Sequence, residues 1–259
     1  MAVIQTDQWL KSFYFDPKKI CEKLLPYFRN TSAHHLYQYL TMHGMYRPHI
    51  QGEKEVKILQ KRNVWELVEK EEKLLRQVWQ GPNVPIIIFP ADQNRKIKRD
   101  FNGKSGLAFK DKLFLFISPE NTDDEIRALL THEYNHVCRL AKYNKNEDNY
   151  VLLDTVIMEG LAERAVGERL GEALQVNWTS YYSDEQLDKM WKNIIYPNRN
   201  ISMKDRRHQD LLYGLRLTYP KMVGYCVGYF LVKKYAEKTG LTSKELLPKR
   251  SEVIAQMNN

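Results

Sequence analysis

His132, Glu133 and His136 stand in the run Thr131-His132-Glu133-Tyr134-Asn135-His136, an H-E-x-x-H pattern. In a helix of 3.6 residues per turn, His132 and His136 lie one turn apart on one face. Two imidazoles so placed can both reach one tetrahedral Zn²⁺, at about 2.0–2.1 Å. Glu133 projects from nearly the same face without needing to bind the ion. As a general base it can take a proton from a polarised water and pass it to a leaving group. The plainer alternative is two surface histidines and a solvated glutamate on an ordinary helix. Leu129 and Leu140 argue against it, because they continue the same stripe and turn it inward.

A catalytic zinc needs a third protein ligand and an open fourth position. Val156-Ile157-Met158-Glu159-Gly160-Leu161-Ala162 offers one. A carboxylate in so apolar a stretch is costly to bury unless it meets a cation. Glu159 is therefore the expected third ligand. Glu163, one turn on, could hydrogen-bond the free ring nitrogen of a ligand histidine. It could equally pair with Arg164 or Arg139 at the surface, or exchange roles with Glu159.

These residues need elements to hold them. Helices are expected over 16–29 and 32–43, with Gly44 and Pro48 stopping the second. A longer one should span Lys54 to Gln80, its apolar face made of Val56, Leu59, Val64, Leu67, Val68, Leu74, Leu75 and Val78. Trp65 and Trp79 belong to its core side. Gly81-Pro82 ends it. Val84 to Pro90 reads as a buried strand, and Leu107–Phe109 with Leu113–Ile117 as a hairpin around the polar turn Lys110-Asp111-Lys112. Thr122 and Glu125 have the form of a capping box, opening a helix to about Tyr143. Another helix is expected over Val151–Leu170, and one more from Tyr219-Pro220 to about Lys238. Gly224 and Gly228 there suggest close helix packing. The order predicts an α+β architecture. One domain is expected over 1–259, with a helical part (1–82), a sheet and H-E-x-x-H helix (83–143) and a helical part carrying the third ligand (144–259).

The 43% hydrophobic and 28% charged composition suits a globular chain able to bury a core. The net charge of +8 reads better as a lysine-rich solvated surface than as a nucleic-acid footprint. Its clusters are short, Lys96, Lys98 and Arg99 in one place and Arg206 and Arg207 in another, without interleaved aromatics. His34, His35 and His43 resemble a metal cluster only superficially, since adjacent histidines on a helix point apart. Cys21, Cys138 and Cys226 are far apart and form no CxxC pair, against a disulfide framework. Without a signal peptide or an 18-residue apolar run, no membrane span is expected and the cytoplasm is the simplest address.

The spacing from His132-Glu133-x-x-His136 to Glu159-Gly160-Leu161-Ala162-Glu163 resembles the gluzincin branch of zinc metallopeptidases. More closely, H-E-Y-N-H, M-E-G-L-A-E and the late G-Y-C-V-G-Y resemble the YjaZ-like bacterial family of predicted zinc-dependent proteases. The resemblance implies a zincin-like fold, Zn²⁺ as cofactor, a peptide or protein substrate, Glu159 as third ligand and Glu163 as the acid that orients a ligand histidine. It also implies a tyrosine or histidine donor to the oxyanion, for which Tyr225 is the first candidate, ahead of His208, Tyr229 and Tyr213. Peptides would add along a sheet edge, where Gly106, Leu107 and Ala108 are placed to receive them. The chain departs from gluzincin aminopeptidases in lacking a G-x-M-E-N segment and a large N-terminal substrate domain. Both departures favour an endopeptidase of restricted range. The competing expectation is a zincin-like module that binds metal and regulates or interacts rather than cleaves.

Overall fold

The computed structural model describes residues 2–93, 104–215 and 218–257. The basic cluster Lys96, Lys98 and Arg99 lies outside them. Five helices come first: α1 (Thr6–Phe13), α2 (Pro17–Leu24), α3 (Ala33–Met42), α4 (Gly52–Lys61) and α5 (Val64–Trp79). Asp16 caps α2 by accepting the Lys19 N–H at 3.4 Å, and Ser32 caps α3 by accepting that of His35 at 3.3 Å. Both satisfy backbone donors that a helix start leaves open.

The single long helix expected from Lys54 to Gln80 is instead α4 and α5. Asn63 breaks it, with φ +54° in the left-handed region, which asparagine tolerates better than most residues. The break resets the helical phase, so Leu74 and Val78 are about half exposed while Trp65, Val68, Leu75 and Trp79 are buried. The buried side of α5 also takes in Glu69 and Glu72, which pair with Lys73 and Arg76 one turn on, at 3.0 Å each.

Strands β1 (Ile86–Pro90), β2 (Lys104–Ala108) and β3 (Leu113–Ile117) form one sheet in the order β1-β3-β2. β1 runs parallel to β3, and β2 closes the expected hairpin antiparallel to it. All ten residues of β1 and β3 are buried. Continuous apolar runs of this kind belong to strands covered on both faces. β2 is only half-buried at 105–108, as an edge strand should be.

Helix α6 (Asp123–Lys142) follows, then α7 (Leu152–Leu170), α8 (Asp184–Met190), α9 (Tyr196–Asn198), α10 (Arg206–Tyr213), α11 (Val223–Thr239), α12 (Ser243–Leu246) and α13 (Ser251–Ile254). The chain divides into two compact units, Met1–Val137 and Cys138–Asn259, and the boundary falls inside α6. In the second unit α7 and α11 cross at glycines. A Cβ on Gly228 would collide with the Val156 carbonyl, and one on Gly160 would sit 2.8 Å from the Tyr229 nitrogen. The expectation of close packing at Gly228 is met by main chain against main chain. The architecture is α+β.

Candidate metal centre

The expected capping box forms at the start of α6. Glu125 Oε2 accepts the Thr122 N–H at 2.8 Å, and Thr122 Oγ1 accepts the Glu125 N–H at 3.2 Å. Asp123, Asp124 and Glu125 in the first turn complement the helix dipole. The rotation of α6 is set by Tyr134, fully buried, which stacks on Trp79 at 6.1 Å and donates its hydroxyl to the Pro82 carbonyl at 2.8 Å. Residues two apart on a helix point roughly opposite ways, about 200° around the axis. Anchoring Tyr134 therefore turns His132 and His136 to the other side. Their rings lie 4.7 Å apart between centroids and nearly perpendicular.

Glu133 is buried, at 8% exposure. Its carboxylate fills the space where a side chain on Gly106 would be: a Cβ there would overlap Glu133 Cγ and Cδ and sit 2.6 Å from Oε1. The edge strand and the candidate base thus touch.

Glu159 lies on α7, 9% exposed, with Gly160 beside it at the glycine crossing. One ligand atom each of His132, His136 and Glu159 lie within 4.8 Å of one another. Ligands at about 2 Å from a tetrahedral zinc are separated by roughly 3.3 Å, so small side-chain movements would close the set on one ion. Two imidazoles and a carboxylate are the donor set of a catalytic zinc site with a position left open. The residues present fit the ion.

Glu163 is buried, 1% exposed, and accepts the Val176 N–H on Oε1 at 2.7 Å. It is not the surface residue of the plainer expectation. Arg164 instead pairs with Glu168 at 2.9 Å. Gln175 donates to the Glu163 carbonyl at 2.9 Å and bonds the Tyr229 hydroxyl. Tyr225 and Tyr213 share a hydroxyl contact of 3.2 Å. His208 is buried with Nε2 on Thr155 Oγ1 at 3.1 Å, and burial lowers its pKa. His34, His35 and His43 are all exposed.

Sequence reasoning considered Arg139, three residues beyond His136, only as a surface partner for Glu163, whereas it is 1% exposed. Its buried guanidinium donates to the carbonyls of Leu247 and Lys249 at 2.5 Å and to Ser251 Oγ at 3.2 Å, and stacks over the Tyr143 ring. Asp154 completes the cluster, accepting from Ser251, Tyr143, Lys145 and the Val151 N–H. The one available signal was Asp154 three residues after a helix start. Nothing local marks the partners of Arg139.

In this α+β chain two histidines and a glutamate form a group that could hold a metal ion. The sequence profile of a family described as predicted Zn-dependent protease (DUF2268) matches residues 64–256. The uncharacterized protein YjaZ of Bacillus subtilis (strain 168) is 42% identical over 240 residues, covering 91% of each chain. The chain belongs to this YjaZ-like family of predicted zinc-dependent proteases. No helix among the described residues is long and apolar enough to cross a membrane.

Proposed function

We propose that the chain is a zinc-dependent, zincin-like peptidase acting on a restricted set of peptide or protein substrates. One observation carries the reading: ligand atoms of His132 and His136, on the helix that also bears Glu133, and of Glu159 on α7 lie within 4.8 Å of one another. His132, His136 and Glu159 hold the ion, and Glu163 orients a ligand imidazole by hydrogen bonding its free nitrogen. Zinc bound there would supply Lewis-acid polarisation and a lowered pKa for water. Glu133 takes a proton from water as the oxygen–carbon bond forms. It returns that proton to the amide nitrogen as the carbon–nitrogen bond breaks. Tyr225 donates its hydroxyl to the carbonyl oxygen as negative charge grows there. An extended peptide pairs along β2 at Gly106, Leu107 and Ala108, where main-chain groups recognise it with little regard to sequence. The missing free-amine anchor favours internal cleavage. Cys21, Cys138 and Cys226 are buried and form no disulfide, which suits a reducing compartment such as the cytoplasm.

Metal analysis tests this directly, on wild type and Glu159→Ala purified without a histidine tag. About one zinc per chain is expected in the wild type, with binding weakened at least about tenfold in the variant. Glu133→Gln should keep its zinc and lose about a hundredfold or more in peptide hydrolysis. A wild type that takes up no zinc on reconstitution overturns the reading. Zinc without hydrolysis would replace it with a metal-binding regulatory module.

A further inference from the structure

Gly106 occupies a strand position with no conformational reason to be glycine. The described glycines with positive φ are Gly44, Gly171, Gly214 and Gly240, so any residue could adopt the backbone angles at 106. Glycine weakens a strand and offers nothing to pack, and in strand interiors it often marks close approach by another group. Here that group is Glu133, whose Cγ, Cδ and Oε1 occupy the space of a Cβ.

The hairpin ladder adds a second property. Phe109 N donates to the Lys112 carbonyl at 2.9 Å, closing the turn with a hydrogen-bonded pair. Pairs alternate along an antiparallel ladder, so Leu107 and Ser105 bond across to Phe114 and Phe116. Gly106 opposite Leu115 and Ala108 opposite Leu113 fall in the alternate pairs. Their N–H and C=O groups therefore point away from β3, along the edge of the sheet.

We propose, resting on the peptidase reading above, that Gly106 is a positioning residue for Glu133. Its missing side chain lets the carboxylate lie directly against the strand, beneath the outward main-chain groups that pair with substrate. The gap between base and peptide backbone is then one Cα thick. Any Cβ at 106 pushes Glu133 away from the reacting water without removing a metal ligand.

A double-mutant cycle tests it with wild type, Gly106→Ala, Glu133→Asp and the double variant. Zinc content, the melting temperature of the zinc-free protein, and kcat and KM on a quenched fluorescent peptide are measured. Gly106→Ala should keep its zinc, melt lower, and lose about tenfold to a hundredfold in kcat, with KM within about threefold. In the Glu133→Asp background, one methylene shorter, the same change should cost much less in both readouts. Equal losses of melting temperature in the two backgrounds would overturn the proposal, since a general strand defect acts the same way in each. Absence of hydrolysis in every protein would sink the peptidase reading, and the melting cycle would still decide whether Glu133 needs the space at 106.

Discussion

Strands β1 and β3 of the first unit and the helical core of the second unit reach burial by opposite means. The strands bury Ile86–Pro90 and Leu113–Ile117 with no charged group among them. The second unit puts main chain against main chain at Gly160 and Gly228. It also seals a guanidinium, Arg139, at 1% exposure among backbone carbonyls. Apolar burial is non-directional and depends on volume. Glycine contacts and buried charge depend on geometry, and losing one partner strands the other. The proposed metal ligands are carried by α6 and α7, and the Arg139–Asp154 cluster joins the tail of α6 to the start of α7. Conservative changes should therefore be tolerated in the strands and costly in the cluster.

Arg139→Ala should show the largest loss of stability, about 3–5 kcal/mol, because the carbonyls of Leu247 and Lys249 and the Ser251 hydroxyl that bridges to Asp154 lose a buried charged partner. Urea denaturation checks it. A loss below about 1 kcal/mol would mean the cluster opens to water readily, and the contrast with the strands would break. Gly228→Ala comes next, at about 1–3 kcal/mol, since a single methyl must move α11 off the Val156 carbonyl of α7. Leu115→Ile, in the fully buried centre of β3, keeps its volume and should cost less than about 1.5 kcal/mol. Measured together, a smaller effect at 228 than at 115 would reverse the comparison.

The same difference explains what could be read in the sequence. H-E-x-x-H, the Thr122–Glu125 box and the apolar runs of β1 and β3 are local patterns, where spacing alone implies placement. Glu159, whose carboxylate lies near His132 and His136, drew notice in the sequence because a carboxylate among Val156, Ile157 and Leu161 requires a reason. The break at Asn63 was not, since an asparagine inside an amphipathic pattern rarely adopts the left-handed conformation. Leu74 and Val78 were misplaced with it. Arg139 finds its partners more than a hundred residues downstream, where no periodicity connects them. The contact between Gly106 and Glu133 also joins distant segments. A glycine within a strand pattern was its only trace.

The smallest expected effect concerns pH. His208 is buried against Thr155, and burial holds its pKa below the ordinary value of about 6.5. The folded chain thus keeps His208 neutral where the unfolded chain would protonate it. Stability from this residue is complete above about pH 6.5 and declines as pH falls from there toward the folded-state value, by at most about 1.4 kcal/mol per pH unit. His208→Gln, which can still reach Thr155, should flatten the difference between urea midpoints at pH 7 and pH 5.5. Leu115→Ile should shift both midpoints equally, because apolar burial carries no proton. If His208→Gln leaves the slope unchanged, the buried histidine is not the group that makes the second unit acid-sensitive, and the contrast between the two regions would narrow to geometry alone.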